Sequence, residues 1–237
     1  MEIDNLTQHT SRQYNHELEN LKNSVMNMGG FVEVQLTSAL KSFSDADSEL
    51  GLKVAKDDHK INLLEVEIDQ ECSRILATRS PAAIDLRIIV GIIKAITDLE
   101  RIGDEADKIG SISARLASYQ RPDSNYKEHR NLAKLVKTML HDCLDCFARL
   151  DADKALDIYK SDEEVDYEYE VICRHSITIM MENPKMISRI NDLTWVARSL
   201  ERIGDHVKNI CEYIIFIVHG KDIRHTDINK IILPEDL

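Results

Sequence analysis

The 237-residue chain holds only eight glycines and four prolines, where average usage of about 7% and 5% would supply roughly 28. Strands and hairpins need those residues at their turns, so the scarcity excludes a sheet-rich fold and leaves an all-α one. Cation excess is missing too: 30 Lys+Arg against 42 Asp+Glu give a formal net charge of −12. That sign opposes a phosphate backbone and excludes nucleic acid as the main partner. Long apolar runs are also lacking. The longest, Ile88–Ile93 and Tyr213–Val218, fall far short of the roughly 20 residues that cross a bilayer, so membrane association is expected only through partners. The opening residues, MEIDNLTQHTSRQYNHE, have no basic stretch followed by an apolar one. No secretion signal is therefore expected, and the mature chain is expected to start here. Five cysteines, an odd count in a chain large enough not to need staples, point to a reducing cytoplasm.

Cys143 and Cys146 form a lone CxxC inside the helical stretch KLVKTMLHDCLDCFARL. A redox or zinc role would need a second CxxC or a βαβ setting. Small packing residues are the favoured reading.

What the chain does contain is a repeat. LERIGD occurs at Leu99–Asp104 and again at Leu200–Asp205, an offset of 101 residues. The same offset pairs Glu65 with Asp166, Asp69 with Glu170, Cys72 with Cys173 and Gly110 with Cys211. Upstream it becomes 104, pairing Leu40 with Leu144, Phe43 with Phe147, Asp47 with Asp151 and Asp58 with Asp162. A three-residue difference near position 62 accounts for the change. Self-similarity on this scale marks duplicated structural units, and the turn-rich QRPDS near Tyr119–Ser124 divides them into 1–119 and 120–237.

Each unit reads as three helices. In the first, a long helix from Asn5 to Phe43 carries Leu18, Leu21, Val25, Met28, Val32, Leu36, Leu40 and Phe43 at three- and four-residue spacing. Asp47 caps a second helix that kinks near Asp57–Lys60 and runs to Ala77. Ser80-Pro81 is expected to start the third, with serine as N-cap and proline first in the helix, and Asn183-Pro184 to do the same in the second unit. Short connections make neighbours antiparallel, so the expected architecture is two tandem three-helix bundles.

At roughly 100° per residue, the third helix has a core stripe of Ile88, Ile92, Ala95, Ile96, Leu99, Ile102, Ala106 and Ile109. Glu100, Asp104 and Asp107 lie together on its flank. Glu65 and Asp69 flank the buried side of the preceding helix, marked by Ile61, Leu64, Ile68 and Ile75. The second unit repeats the pattern with Asp166 and Glu170 facing Glu201 and Asp205, and adds Asp162 one turn earlier. Hard oxygen ligands on rigid helices suit a divalent or trivalent cation, whose charge relieves repulsion between carboxylates at i and i+4. The competing reading pairs these carboxylates with Arg101, Arg202, Lys94 and Lys108 on a solvated face. Arg101 and Arg202 point away from the ridge and are expected to pair with Asp98, Asp104 or Glu105. His206, beside Asp205, is either solvated or a further ligand.

None of the nine histidines has a glutamate three residues before it, which disfavours a ferritin-like di-iron site. The sequence shows no glycine-rich phosphate loop, no GxSxG elbow and no nucleophile with a credible base. No catalysis and no organic cofactor are expected.

VMNMGG at 25–30, EVEID at 65–69, LERIGDEADKI at 99–109 and SLERIGDHVKNICEYI at 199–214 together resemble the PhoU family of phosphate-specific transport system accessory proteins, over almost the whole chain. The resemblance implies a cytoplasmic homodimer of two three-helix bundles that negatively regulates phosphate uptake and the phosphate-starvation response. Its implied partners are the ATPase subunit of the phosphate ABC transporter and a sensor histidine kinase. It further implies metal ions (iron, magnesium, zinc or manganese) at acidic ExxxD motifs, matched here by Glu65/Asp69, Glu100/Asp104, Asp162/Asp166, Asp166/Glu170 and Glu201/Asp205. Two departures, one in each unit, argue against equal occupancy of the two units' sites. Asp58 is followed four residues later by Asn62, and Lys208 stands where the first unit has Asp107. A metal-binding or metal-buffering protein is the alternative function. Dimerisation has a second basis in Ile214, Ile215, Phe216 and Ile217, too continuous for one helix face, although part of that run has the first helix or the C-terminal tail as an alternative packing surface.

Overall fold

The computed structural model describes residues 12–57, 59–119 and 126–224. The expected helix start at Asn5 lies outside them. All regular structure among the described residues is helical. The first repeat contributes α1 (Arg12–Asp45), α2 (Ser48–Asp57), α3 (His59–Arg79) and α4 (Ala83–Leu116). The second contributes α5 (Lys127–Arg149), α6 (Ala152–Glu182) and α7 (Ile187–His219). Near the kink expected at Asp57–Lys60 the first repeat has two helices, α2 ending at Asp57 and α3 starting at His59, whereas α6 runs unbroken. The first repeat carries three extra residues at this point, and a helix cannot absorb three without turning its apolar stripe off the core.

Helix starts match in the two repeats where the residues match. Asp47 Oδ1 accepts from the Leu50 amide at 2.9 Å and Asp151 Oδ1 from the Lys154 amide at 3.0 Å, the same N-cap in both repeats. The Ser80-Pro81 expectation is corrected. Helix α4 starts at Ala83 with Ala82 as N-cap and no side-chain cap, and Ser80 and Ala83 both adopt positive φ, 48° and 50°. Proline disfavours helical backbone in the residue before it, so Ser80 turns the chain and the helix starts two residues beyond Pro81. Pro184 does open a helical turn, the 3₁₀ turn Pro184–Met186 leading into α7, but Asn183 gives it no side-chain cap.

The two bundles share one core. Helices α4 and α7 run antiparallel along their length, held at one end by Arg115 Nη2 to Asp192 Oδ1 at 2.9 Å. At the other end Gly91 lets Ile217 approach so closely that a Cβ would stand 2.5 Å from its Cδ1. The predicted stripe from Ile88 to Ile109 is wholly buried. Ile214, Ile215 and Ile217 are buried as well, with Phe216 and Tyr213 half-buried beneath the Lys94 ammonium, 5.8 and 5.4 Å from their ring centroids. This corrects the reading of that run as an exposed basis for dimerisation. A helix apolar all round is one enclosed by neighbours, and α7 is enclosed by α4, α5 and α6.

Two cysteine positions are explained by the repeat. Cys143 and Cys146 stand 104 residues after Ala39 and Ser42, and all four are buried. Burial pushes the Cys146 thiol up to about 11. Cys143 lies 3.7 Å from Cys211 across α5 and α7. They fill small-residue positions in the packing.

Candidate functional site

In the second repeat α6 and α7 bring four of the expected carboxylates into one another's field. Asp162 is 1% exposed. Its Oδ2 accepts from Lys208 Nζ at 2.7 Å, and its Oδ1 is buried with no hydrogen-bond partner. Gly204 leaves the room, since a Cβ there would stand 3.1 Å from Asp162 Oδ1. Glu201 Oε1 accepts from Arg198 Nη1 at 2.6 Å, while Oε2 is buried and unpartnered. Burial, then the charge of Asp205, pushes Glu201 up to about 7, with Asp166 and Asp162 adding to the rise and Arg198 opposing it. Burial followed by Asp166 raises Asp205. Burial also raises Asp162, against the pull of Lys208. Crowded carboxylates that lose water resist ionising together, which is what these shifts express. Glu170 stands apart, exposed and 3.7 Å from Arg174.

The first repeat uses the same positions differently. Glu100 and Asp104 straddle the Arg101 guanidinium at 3.5 and 3.3 Å. Glu65 Oε1 accepts from Thr97 Oγ1 of α4 at 3.2 Å, and Asp107 Oδ1 from Ser111 Oγ at 3.4 Å. Asp69 is exposed. Asp58, the counterpart of Asp162, lies outside the described residues. Among the described residues no three His, Cys, Asp or Glu side chains are placed, as they stand, to hold a metal ion.

Between the repeats the α4–α7 seam carries a second set of charges. Asp98 Oδ1 lies 2.7 Å from His206 Nδ1 and accepts from Asn209 Nδ2 at 3.1 Å. Glu105 Oε1 meets Arg202 Nε at 3.1 Å and Lys108 Nζ at 2.9 Å. Arg101 and Arg202 thus pair with the expected acids. His206, part-buried, turns to Asp98 rather than to the carboxylate cluster and clasps the two repeats together. Thr97 and Asn209 escaped the sequence reading because a neutral side chain on a helix flank carries no pattern. Lys208 was visible as the odd residue at the Asp107 position, and its bond to Asp162 gives that oddity a role.

The α7 face formed by Arg198, Arg202, Asp205, His206 and Asn209 lines an open polar cleft of about 470 Å³. The chemistry on offer across these sites is charge. The orphaned oxygens can accept a hard cation or a basic side chain, and Glu201 can exchange a proton near neutrality.

The PhoU domain matches residues 25–113 and 130–214, once in each repeat. The chain is 46% identical to the phosphate-specific transport system accessory protein PhoU homolog of Pseudomonas aeruginosa, over 96% of this chain and 94% of that one. It is 43% identical to PhoU of Escherichia coli K12, over 98% and 97%. The crystal structure of PhoU from P. aeruginosa superposes with a TM-score of 0.85, covering 88% of this chain and 100% of that one at 46% identity. The phosphate transport system regulatory protein PhoU from Streptococcus pneumoniae gives a TM-score of 0.82 over 88% and 98%, at 29% identity. The duplicated bundles, the two LERIGD helices and these matches together show that the chain belongs to the PhoU family.

Proposed function

We propose that the chain is a non-enzymatic adaptor of the phosphate-specific transport system, a negative regulator that links the transporter's ATPase subunit to a sensor histidine kinase and so holds down phosphate uptake and the phosphate-starvation response. Full-length similarity to proteins named as accessory to that system carries this reading. The surface supports it: a net charge of −12, with carboxylates massed on helix flanks in both repeats, favours basic protein surfaces and speeds their encounter. No described helix is long and apolar enough to cross a membrane, and the adaptor works at the cytoplasmic membrane face through its partners. Homodimerisation belongs to the same reading, supported by the resemblance and by the exposed Tyr167, Ile177, Met181 and Trp195 of the second repeat. Affinity capture from phosphate-replete membranes is expected to recover the ATPase subunit or the kinase. Recovery of neither overturns the adaptor.

A metal-binding role is the second reading, favoured by the orphaned Asp162 Oδ1 and Glu201 Oε2. An all-oxygen donor set of this kind fits a hard cation. Asp162, Asp166, Glu201 and Asp205 would hold it in the second repeat, with Glu65, Glu100, Asp104 and Asp107 as the dispersed counterpart in the first. The ion would supply positive charge where four carboxylates repel. Lys208 already supplies one such charge to Asp162, so the second repeat is partly neutralised by its own chain. Metal analysis and metal-dependent thermal stabilisation, each with Glu201→Ala/Asp205→Ala and Glu100→Ala/Asp104→Ala as controls, test this. No bound metal and no stabilisation would rule it out.

A further inference from the structure

We propose that the groove between α5 and α6 receives an amphipathic helical segment of a partner protein, with lysines or arginines flanking the segment's apolar face. The groove is open and holds about 670 Å³. Leu135, Met139 and Ile158 form its floor, the latter two buried. Along its α6 wall Asp157, Ser161, Glu164 and Glu168 follow one another at i, i+4, i+7 and i+11, which puts them on one helix face over about 16 Å. The whole lining holds four carboxylates against two lysines. One of those lysines is committed, with Lys154 Nζ 3.5 Å from Asp142 Oδ1. Among the described residues no hydrogen bond or ion pair engages the carboxylates of Asp157, Glu164 or Glu168, so these three face Lys134 alone. An apolar floor beside an uncompensated acidic wall selects an apolar occupant with positive flanks by charge complementarity. The shape selects a helix, because a trough about three turns long between two packed helices is where an amphipathic helix lays its apolar face. Helix α7 already packs against both α5 and α6 from the other side. A second copy of this chain, at net charge −12, is repelled by the same wall.

Packing does not account for the acidic wall. By the repeat offsets of 104 and 101, the first repeat has Lys53 where the second has Asp157, and Leu63 where the second has Glu164, and both first-repeat residues are exposed. The same scaffold therefore folds with a cation or an apolar side chain at these positions. The groove is also distinct from the carboxylates described above. Asp162 meets α7 through Lys208 and Gly204, whereas Asp157, Glu164 and Glu168 line α6 on its α5 side. The inference rests on the adaptor reading in taking a basic protein surface as the partner, and it assigns the surface that meets it.

Three fluorescent 18-residue peptides provide the probe. Two are helical, with leucines at i, i+3, i+4 and i+7 and the flanking positions all lysine in one and all glutamate in the other; the third scrambles the lysine peptide so that no apolar face forms. Anisotropy titration with the full chain is expected to show the helical lysine peptide binding at least about tenfold more tightly than either of the others, a difference of about 1.4 kcal/mol. Its binding should weaken as salt is raised. Asp157→Lys/Glu164→Lys should cut that binding about tenfold while leaving Tm unchanged. Glu19→Lys/Glu67→Lys, the same change in net charge at exposed positions of the first repeat, should leave it within about twofold, because those charges lie away from the groove and are screened. Equal binding of the helical and scrambled lysine peptides, equal losses in the two variants, or no binding by a folded chain overturns the proposal. Conversion of a dimer to a monomer in sedimentation by Asp157→Lys/Glu164→Lys also overturns it, because the occupant would then be a second copy. Failure of the peptide test with the ATPase subunit or the kinase still captured from membranes would strike this groove and leave the adaptor reading standing.

Discussion

The two repeats place carboxylates at corresponding positions on corresponding helices, yet neutralise them in opposite ways. The first spreads them, with Arg101 between Glu100 and Asp104 and with Thr97 and Ser111 donating to Glu65 and Asp107. The second crowds them around a buried Asp162 whose cationic partner, Lys208, comes from the chain itself. Exchanges at matched positions of α4 and α7 separate the two solutions: Asp107 for Lys208, and Thr97, which donates to Glu65, for Arg198, which pairs with Glu201. Duplication preserved the scaffold, and substitutions along one helix flank changed its electrostatics.

The largest break in that comparison should come from Lys208→Ala. Removing one partner of a buried pair leaves an uncompensated charge, at about 3–5 kcal/mol when both groups are buried. Lys208 keeps 31% of its side chain exposed, so a loss of about 2–3 kcal/mol in urea denaturation is expected. Asp162→Asn in the same chain should restore part of it. Arg101→Ala, the corresponding cut in the first repeat, should cost under about 1 kcal/mol because the Arg101 side chain is itself 54% exposed; an equal cost in both repeats would erase the distinction.

A pH series sharpens the contrast at another matched position. Val25 of α1 corresponds to His129 of α5; both are buried, and His129 shares a hydrogen bond with the Leu193 carbonyl through Nε2 at 3.0 Å. Burial lowers His129 to about 4, below its unfolded value of about 6.5. As pH falls, the unfolded chain therefore takes up the proton first. Stability owed to the neutral ring is full above about 6.5 and is lost between 6.5 and 4, by up to about 3 kcal/mol. His129→Leu, which imitates the apolar first repeat, should flatten this slope relative to the parent chain, although it gives up the bond to Leu193. An unchanged slope would show that other groups dominate.

Backbone proximity gives a third contrast. Helix α2 approaches α4 so closely that a Cβ on Gly51 would stand 2.6 Å from the Gly110 carbonyl oxygen. The second repeat carries Ala155 and Cys211 at these positions, each with a side chain where the first repeat has none. Gly51→Ala should cost about 1–3 kcal/mol, since backbone cannot swing aside as a side chain can. Cys211→Ala should cost less, about 1 kcal/mol, through the small cavity it leaves.

Much of this was legible in the residues. The LERIGD repeat, the Asp47 and Asp151 caps and the stripe from Ile88 to Ile109 are local or periodic signals, and the structure keeps them. The α2–α3 break was foreshadowed by the three-residue offset change. What periodicity cannot report is which surface a buried face meets. The run from Ile214 to Ile217 therefore looked like a surface awaiting a second copy, when it is the flank of a helix enclosed by three others. Asp98 with His206 was hidden for the same reason, being a contact across about 100 residues between helices whose antiparallel pairing is set by the fold. At the carboxylate sites the positions were readable, and Lys208 was noticed, but its hydrogen bond to Asp162 depends on how α6 lies on α7. Ser80-Pro81 misled because a local capping signal yielded to the backbone restriction proline places on its predecessor.

The most direct measurement of the regulatory account is a phosphate-starvation reporter in a strain lacking this chain, grown in high phosphate and complemented from a plasmid. The account predicts high reporter expression in the deletion strain, despite abundant phosphate, and return to the low state with the intact chain. A reporter that stays low in the deletion strain would contradict it.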